Sequence, residues 1–366
     1  MRFQYLEFLH QFLQTLLLRQ LQLARLIIKL IKFLEDLSLI ILRIFPAEVA
    51  KNITLRLLKL IYSLNLINLF ASSNIEKSNI NIKNLSLKNR IGIAGGLDKN
   101  AEYFHIFSSL GFGFVEVGTV TLEPQSGNPK PRIFRFTKDK TLVNSLGFNN
   151  SGSVQVLKNI KKYKPKFDGI LGISIGKSKN TKTKNAWQDY LHLMDYFYLV
   201  ADYLAINISS PNTQNLRELS SQENLEFLLE KISKKKVQLI DMYKKNTPIF
   251  VKLSPDETEE NLKNLIEVSE KNSIDGFICC NTTTEHSYPC SGGMSGALLS
   301  KKAGNMQKKV AEFKQEKSIL IASGGVMNAS DVRERLINSA DLVQLYTGYI
   351  YQGNSLLKKA LKISSS

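Results

Sequence analysis

Ala205-Ile-Asn-Ile-Ser-Ser-Pro-Asn-Thr213 begins as an apolar, β-branched run and ends abruptly in hydrogen-bonding side chains and a proline. A buried strand reads this way when its C-terminal end opens onto a polar site. Asn207, Ser209, Ser210 and Asn212 offer amides and hydroxyls but no charge, which suits a small, polar, planar molecule. The pattern recurs. From Arg90 onward, eight short apolar runs (91–94, 114–117, 169–175, 203–208, 249–253, 276–280, 320–322 and 342–345) alternate with helical patterns, and most end in Gly, Asn, Ser, Thr or Lys. Eight buried strands with intervening helices over roughly 270 residues predict an α/β fold, a (β/α)8 barrel. A doubly wound sheet is the alternative, but no strand–GxGxxG–helix opening is present. Residues 130–146, with Ile133-Phe-Arg-Phe136 and Thr141-Leu-Val143, predict an extra hairpin inserted after the second strand.

Upstream of the barrel the character changes. Residues 1–34 read as one amphipathic helix, with Gln4, Glu7, Gln11, Gln14, Gln22, Arg25, Lys29 and Lys32 at steps of three and four, interrupted at Leu18. Arg19, Arg25, Lys29 and Lys32 make a bilayer span costly. A helix lying in the membrane interface, with its lysines toward acidic headgroups, is the expectation. Glu35 and Asp36 punctuate this stretch, a second helical segment follows to about Ile44, and Pro46 starts a third running to about Leu66. Its apolar face includes Val49, Ile53, Leu57, Leu60 and Ile61. Residues 71–89 predict a linker with a short β-hairpin. The expected division is therefore an extension over 1–34, a helical segment over 35–70 and a barrel domain over 71–366.

Composition narrows the function classes. The chain has 366 residues, 43 % of them apolar, enough for a large core. Its 49 basic against 32 acidic residues give a net charge of +17, which favours anionic partners. The basic residues are mostly lysines scattered through polar stretches, so no nucleic-acid role is expected. Three cysteines (Cys279, Cys280 and Cys290) form no disulfide framework and indicate a reducing compartment. The four histidines are far apart, and no metal is expected.

In such a barrel the active site lies where the strands end. The first strand ends in Ala94-Gly-Gly-Leu-Asp-Lys99, the second in Gly118-Thr119, and the inserted hairpin in Asn144-Ser-Leu-Gly-Phe148. Ser174 ends the third, and the fourth gives Asn207, Ser210 and Asn212. The fifth gives Lys252, the sixth Cys280-Asn281-Thr282, the seventh Gly324-Gly325 and the eighth Tyr346-Thr347. This set is rich in amides, hydroxyls and glycines, has two lysines and is poor in carboxylates. It suits an anionic heteroaromatic ligand better than glycoside or metal-assisted hydrolysis. Gly293-Met-Ser-Gly296, Gly324-Gly325 and Tyr346-Thr347-Gly348 present backbone N–H groups to a phosphate, while Gly95-Gly96 lets backbone approach a flat ring. Lys252, closing Ile249-Phe-Val-Lys252, is placed to stabilise negative charge on a reduced ring. Cys279 is expected in the core and Cys280 at the ligand.

Seven segments carry a resemblance. They are Gly95-Gly-Leu-Asp-Lys99; Gly118-Thr-Val-Thr121; Pro124-Gln-Ser-Gly-Asn128 with Lys130-Pro-Arg132; Gly147-Phe-Asn-Asn150; Ala205 to Thr213; Asn281-Thr-Thr283; and Gly293-Met-Ser-Gly296. In this order they resemble the dihydroorotate dehydrogenases, of the quinone-dependent, membrane-associated class, over residues 46–360. A serine at Ser210, in place of a cysteine, separates that class from the soluble one, and the N-terminal helices point the same way. The resemblance implies a flavin mononucleotide (FMN) site at Gly95, Gly96, Leu97, Asp98, Lys99, Thr119, Ser174, Asn207, Lys252, Cys280, Gly296, Gly325, Tyr346 and Thr347. It implies a dihydroorotate site at Lys99, Asn144, Ser145, Leu146, Gly147, Phe148, Asn207, Asn212, Asn281 and Thr282, with Ser210 as catalytic base. Three positions depart from the family pattern: Ser174 replaces Asn, Cys280 replaces Thr and Ser145 replaces Arg. Gln214-Asn215 also replaces a frequent Pro-Gly.

The function so implied is oxidation of dihydroorotate to orotate in de novo pyrimidine biosynthesis, with a membrane quinone as acceptor. The protein would sit peripherally on a membrane through its N-terminal helices, on the cytoplasmic face of the inner membrane in a bacterium. Two alternatives stand beside it. Another FMN barrel reductase would carry iron–sulfur cysteine runs, or a cysteine acid with an RNA-binding appendage, and none of these is visible. A non-catalytic membrane-surface barrel would not need Lys99, Ser210 and Lys252.

Overall fold

The structure, a computed structural model, describes residues 29–71, 80–82, 85–213 and 215–364, together with Leu13, Leu17, Arg19, Gln20, Gln22 and Leu26. Most of the predicted helix over 1–34 lies outside the described residues. The chain divides into two compact units, Met1–Phe45 and Pro46–Ser366. The division thus falls just before Pro46, and the third predicted helix belongs to the barrel's unit.

In the first unit, residues 29–42 are helical without a break at Glu35 and Asp36. Acidic residues are ordinary helix formers, and the expected punctuation does not occur. Among the described residues, no helix is long and apolar enough to cross a membrane.

The second unit begins with helix Ala47–Ser63, which buries Ala50 and Leu55. A two-stranded antiparallel hairpin follows, β1 (Ile80–Ile82) with β2 (Leu85–Leu87). Eight parallel strands then close a barrel. In chain order they are β3 (Ile91–Ile93), β4 (Phe114–Val120), β7 (Ile170–Ile175), β8 (Tyr203–Asn207), β9 (Ile249–Lys252), β10 (Gly276–Cys279), β12 (Ile319–Ala322) and β13 (Leu342–Leu345). All eight coincide with the apolar runs read from sequence. The inserted hairpin is β5 (Ile133–Phe136) and β6 (Thr141–Asn144), and β11 (Gly293–Gly296) pairs with β6 as a third strand that the sequence did not announce.

Strand alternation builds two cores. Ile93, Val115, Val117, Leu204, Ile206 and Val251 point outward to the helices. Phe114, Tyr203, Phe250, Ile278, Ile321 and Leu342 point inward and fill the barrel's lower end, where Leu85 and Leu87 of the hairpin close it. Small residues make room for the inward rings: a Cβ on Gly172 would stand 2.0 Å from the Tyr203 ring. One pleat higher the inward positions change chemistry. Glu116 follows Phe114 by two, Lys252 follows Phe250 by two and Gln344 follows Leu342 by two. The site begins at that level.

Candidate active site

A cavity open at its mouth occupies the barrel's C-terminal end. Its lining brings together most residues expected from sequence: Gly95, Gly96 and Lys99 after β3, Thr119 on β4, Asn207, Ser210 and Asn212 at and after β8, and Lys252 closing β9. Cys280, Asn281 and Thr282 after β10, Gly325 after β12, and Tyr346 and Thr347 after β13 complete the wall. Asn144, Leu146, Gly147 and Phe148 of the hairpin region cover it.

Five of the expected residues do not line the cavity. Leu97 packs in the core. Asp98 turns away, its carboxylate accepting the backbone N–H groups of Glu102 at 2.9 Å and Tyr103 at 2.8 Å. Burial nevertheless pushes its carboxyl up to about 6. Ser174 lies behind Thr119, hydroxyl to hydroxyl at 2.9 Å. Ser145 donates its backbone N–H to the Arg132 carbonyl at 2.9 Å. Gly296 lies close to Thr347, so that a Cβ there would stand 3.0 Å from the threonine methyl.

The polar wall is a connected set of amides. Asn207 Nδ2 donates to Thr119 Oγ1 at 2.8 Å, and Asn281 Nδ2 donates to Asn207 Oδ1 at 3.3 Å and to Ser209 Oγ at 3.1 Å. Asn212 Nδ2 donates to Asn144 Oδ1 at 3.1 Å, tying the segment after β8 to the covering hairpin. Ser210 is 6 % exposed and its Oγ accepts the Asn212 N–H at 3.3 Å. Among the described residues, neither a histidine nor a carboxylate hydrogen-bonds it. Arg217, which sequence reading passed over, holds this segment from behind. Its guanidinium donates to the Ser209 carbonyl at 3.3 Å and pairs with Asp256 at 3.1 Å.

Two lysines supply the charge. Lys99 Nζ donates to Asn149 Oδ1 at 2.8 Å and has no carboxylate within ion-pair distance among the described residues. Burial, reinforced by the charges of Lys51 and Arg132, holds its ammonium well below the ordinary lysine range. Lys252 Nζ lies 3.3 Å from Glu116 Oε1. Glu116 was also missed, although a carboxylate inside Phe114-Val-Glu-Val-Gly-Thr-Val120 is itself a signal, since a glutamate is rarely buried without a partner.

Such an architecture is that of a (β/α)8 barrel enzyme with its site at the strands' C-terminal ends. The family model described as dihydroorotate dehydrogenase matches residues 78–363. A dihydroorotate dehydrogenase (quinone) of Neisseria meningitidis is 40 % identical over 329 residues, covering 88 % of this chain and 97 % of that protein. That of Dichelobacter nodosus is 44 % identical over 284 residues, covering 76 % and 84 %. The crystal structure of the dihydroorotate dehydrogenase of Eimeria tenella in complex with ferulenol superposes with a TM-score of 0.74 at 32 % identity, covering 79 % of this chain and 84 % of that one. The chain belongs to the dihydroorotate dehydrogenase family, among the quinone-dependent enzymes.

Proposed function

We propose that this enzyme oxidises (S)-dihydroorotate to orotate with FMN as resident cofactor and a membrane quinone as final acceptor, as a step of de novo pyrimidine biosynthesis. The observation that carries the reading is the coincidence, in one cavity, of Ser210, four asparagine amides and the uncompensated Lys99 ammonium.

The residues present suit the cofactor. Gly324 and Gly325 have φ of +90° and +69°, and a Cβ on Gly325 would stand 2.3 Å from the Ser300 Cα, so this loop offers bare backbone to a phosphate. Thr347 and Gly348 face the same end of the cavity. Toward β13, Gln344 lines the cavity and its Oε1 is a buried acceptor left without a hydrogen-bond partner. Bound FMN supplies two-electron acceptance and release.

The chain's own groups do the rest. Lys99 pairs with the substrate carboxylate, and Asn144, Asn207, Asn212 and Asn281 fix the pyrimidine ring by amide hydrogen bonds. Ser210 takes the C5 proton as the C6 hydride leaves. A serine hydroxyl is a weak base, so the Asn212 N–H on its Oγ matters: it favours negative charge there, and the proton is passed onward to water. Lys252 supports negative charge at the ring edge that faces it.

The first helix of the barrel unit supports a reading of membrane attachment and quinone access. Val49, Leu57 and Leu60 of helix Ala47–Ser63, with Leu64, Leu66 and Leu69 beyond it, are all exposed. That apolar surface, together with the amphipathic pattern of residues 1–34, lies in the membrane interface. Protein in detergent, given dihydroorotate and a soluble quinone, should form orotate and quinol in equal amounts. Turnover with a nicotinamide acceptor and none with quinone contradicts the acceptor assignment.

A further inference from the structure

Beneath the cavity floor, Glu116 and Tyr203, which the mechanism above does not use, back two residues that it does, Lys252 and Gln344. Glu116, on β4, is 0 % exposed. Its Oε2 accepts from the Gln344 Nε2 at 2.8 Å and from the Tyr203 Oη at 3.2 Å, and its Oε1 lies 3.3 Å from Lys252 Nζ. An ionised carboxylate only accepts hydrogen bonds, while an amide N–H2 and an ammonium only donate. The arrangement is therefore that of a buried ion pair, its carboxylate accepting from an amide and a phenol beside the lysine. The rest of the wall leaves space for this group: a Cβ on Gly95 would stand 2.4 Å from Glu116 Oε1. Gly95 thus makes way for a carboxylate as well as for a ligand ring. Lys252 is itself 6 % exposed and reaches the cavity. A buried ammonium with no counter-ion gives up its proton or moves.

We propose that Glu116 is a positioning residue which holds Lys252 as a fixed cation at the cavity wall, and through it sets how strongly the site favours electron-rich cofactor. The part concerning the cofactor rests on the FMN reading above; the pairing itself does not. The titratable groups that share the wall or cavity with Lys252 are Glu116 on β4, Tyr203 on β8, Cys280 after β10, Lys99 after β3 and Tyr346 after β13. Of these, Glu116 is the one in ion-pair contact. Gln344 orients the carboxylate through its Nε2 and is itself among the residues that line the cavity, so one strand position touches both the pair and the site.

The test is a double-variant cycle with E116Q, K252M and the two combined, read in two ways. In the full-length protein as purified, each single variant should lower the unfolding midpoint, and the double variant should lose clearly less than the sum. E116Q strands a buried cation and K252M a buried anion, while the double variant strands neither. In the flavin-loaded protein, E116Q should shift the flavin midpoint potential in the Lys252 background and leave it unchanged in the K252M background. Equal shifts in both backgrounds, or none in either, overturn the role assigned to Glu116. If E116Q fails to fold while the double variant folds, the coupling is shown directly. If both fail, Glu116 serves the barrel and not Lys252, and the inference falls. A wild-type protein that takes up no flavin contradicts the cofactor reading alone, because the stability cycle still decides the pair.

Discussion

In the proposed mechanism the proton transfer falls to Ser210, and its surroundings bear on how a serine could do it. With no histidine or carboxylate among its described partners, it depends on orientation and on the Asn212 N–H. Ser210→Ala should therefore lower the rate of substrate-driven cofactor reduction by roughly 10²- to 10⁴-fold while leaving bound cofactor unchanged, as single-turnover absorbance would show. Loss of cofactor with an intact rate in what remains would remove Ser210 from the chemistry. The residues at strand ends were legible in the sequence because a polar side chain that closes an apolar run has few other reasons to be there. Glu116 and Gln344 were not, since each lies inside its run and acquires meaning only when β4, β8, β9 and β13 meet in the closed barrel. Ser174 shows the reverse: it ends a strand as expected, but Thr119 stands between it and the cavity.

At the scale of elements, two features carry predictions. His105, on helix Phe104–Leu110, stacks on Tyr163 at 4.3 Å and meets the edge of Tyr62 at 4.9 Å, and its Nδ1 has no hydrogen-bond partner. Burial, with Lys166 and Lys59 nearby, holds its ring down to about 4 from an ordinary 6.5. The unfolded chain therefore binds the extra proton first, and stability falls as pH drops from 6.5 toward 4. The loss should be on the order of 2–3 kcal/mol. His105→Phe keeps the stack and should flatten that limb of a denaturation-against-pH curve; an unchanged limb would assign the acid sensitivity elsewhere. The second feature is the exposed face of helix Ala47–Ser63. Replacing Leu57 and Leu60 by Glu should weaken binding to vesicles about tenfold or more per residue, while substrate still reduces the cofactor. Vesicle binding that survives both changes would remove Leu57 and Leu60 from the anchor. Among the elements, β11 was invisible beforehand because Gly293-Met-Ser-Gly296 has no strand pattern of its own; it is a strand only because β6 offers an edge. The helix over 29–42 ran through an expected break because Glu35 and Asp36 do not oppose helix.

Over the whole molecule, the barrel was legible because each of its eight strands is short, apolar and followed by a change of chemistry, and closure then requires no further signal. The same closure places one ring-sized cavity over one buried ion pair, with Lys99 and Ser210 above and an apolar helix face on the same unit. In the proposed function these parts form one oxidoreductase that passes two electrons from dihydroorotate through a bound flavin to quinone. An anaerobic titration of the purified, flavin-loaded protein tests it most directly. Dihydroorotate should bleach the flavin absorbance with one equivalent per site, and a soluble quinone added afterwards should restore it. A protein that binds flavin but keeps its colour in the presence of dihydroorotate would contradict the account.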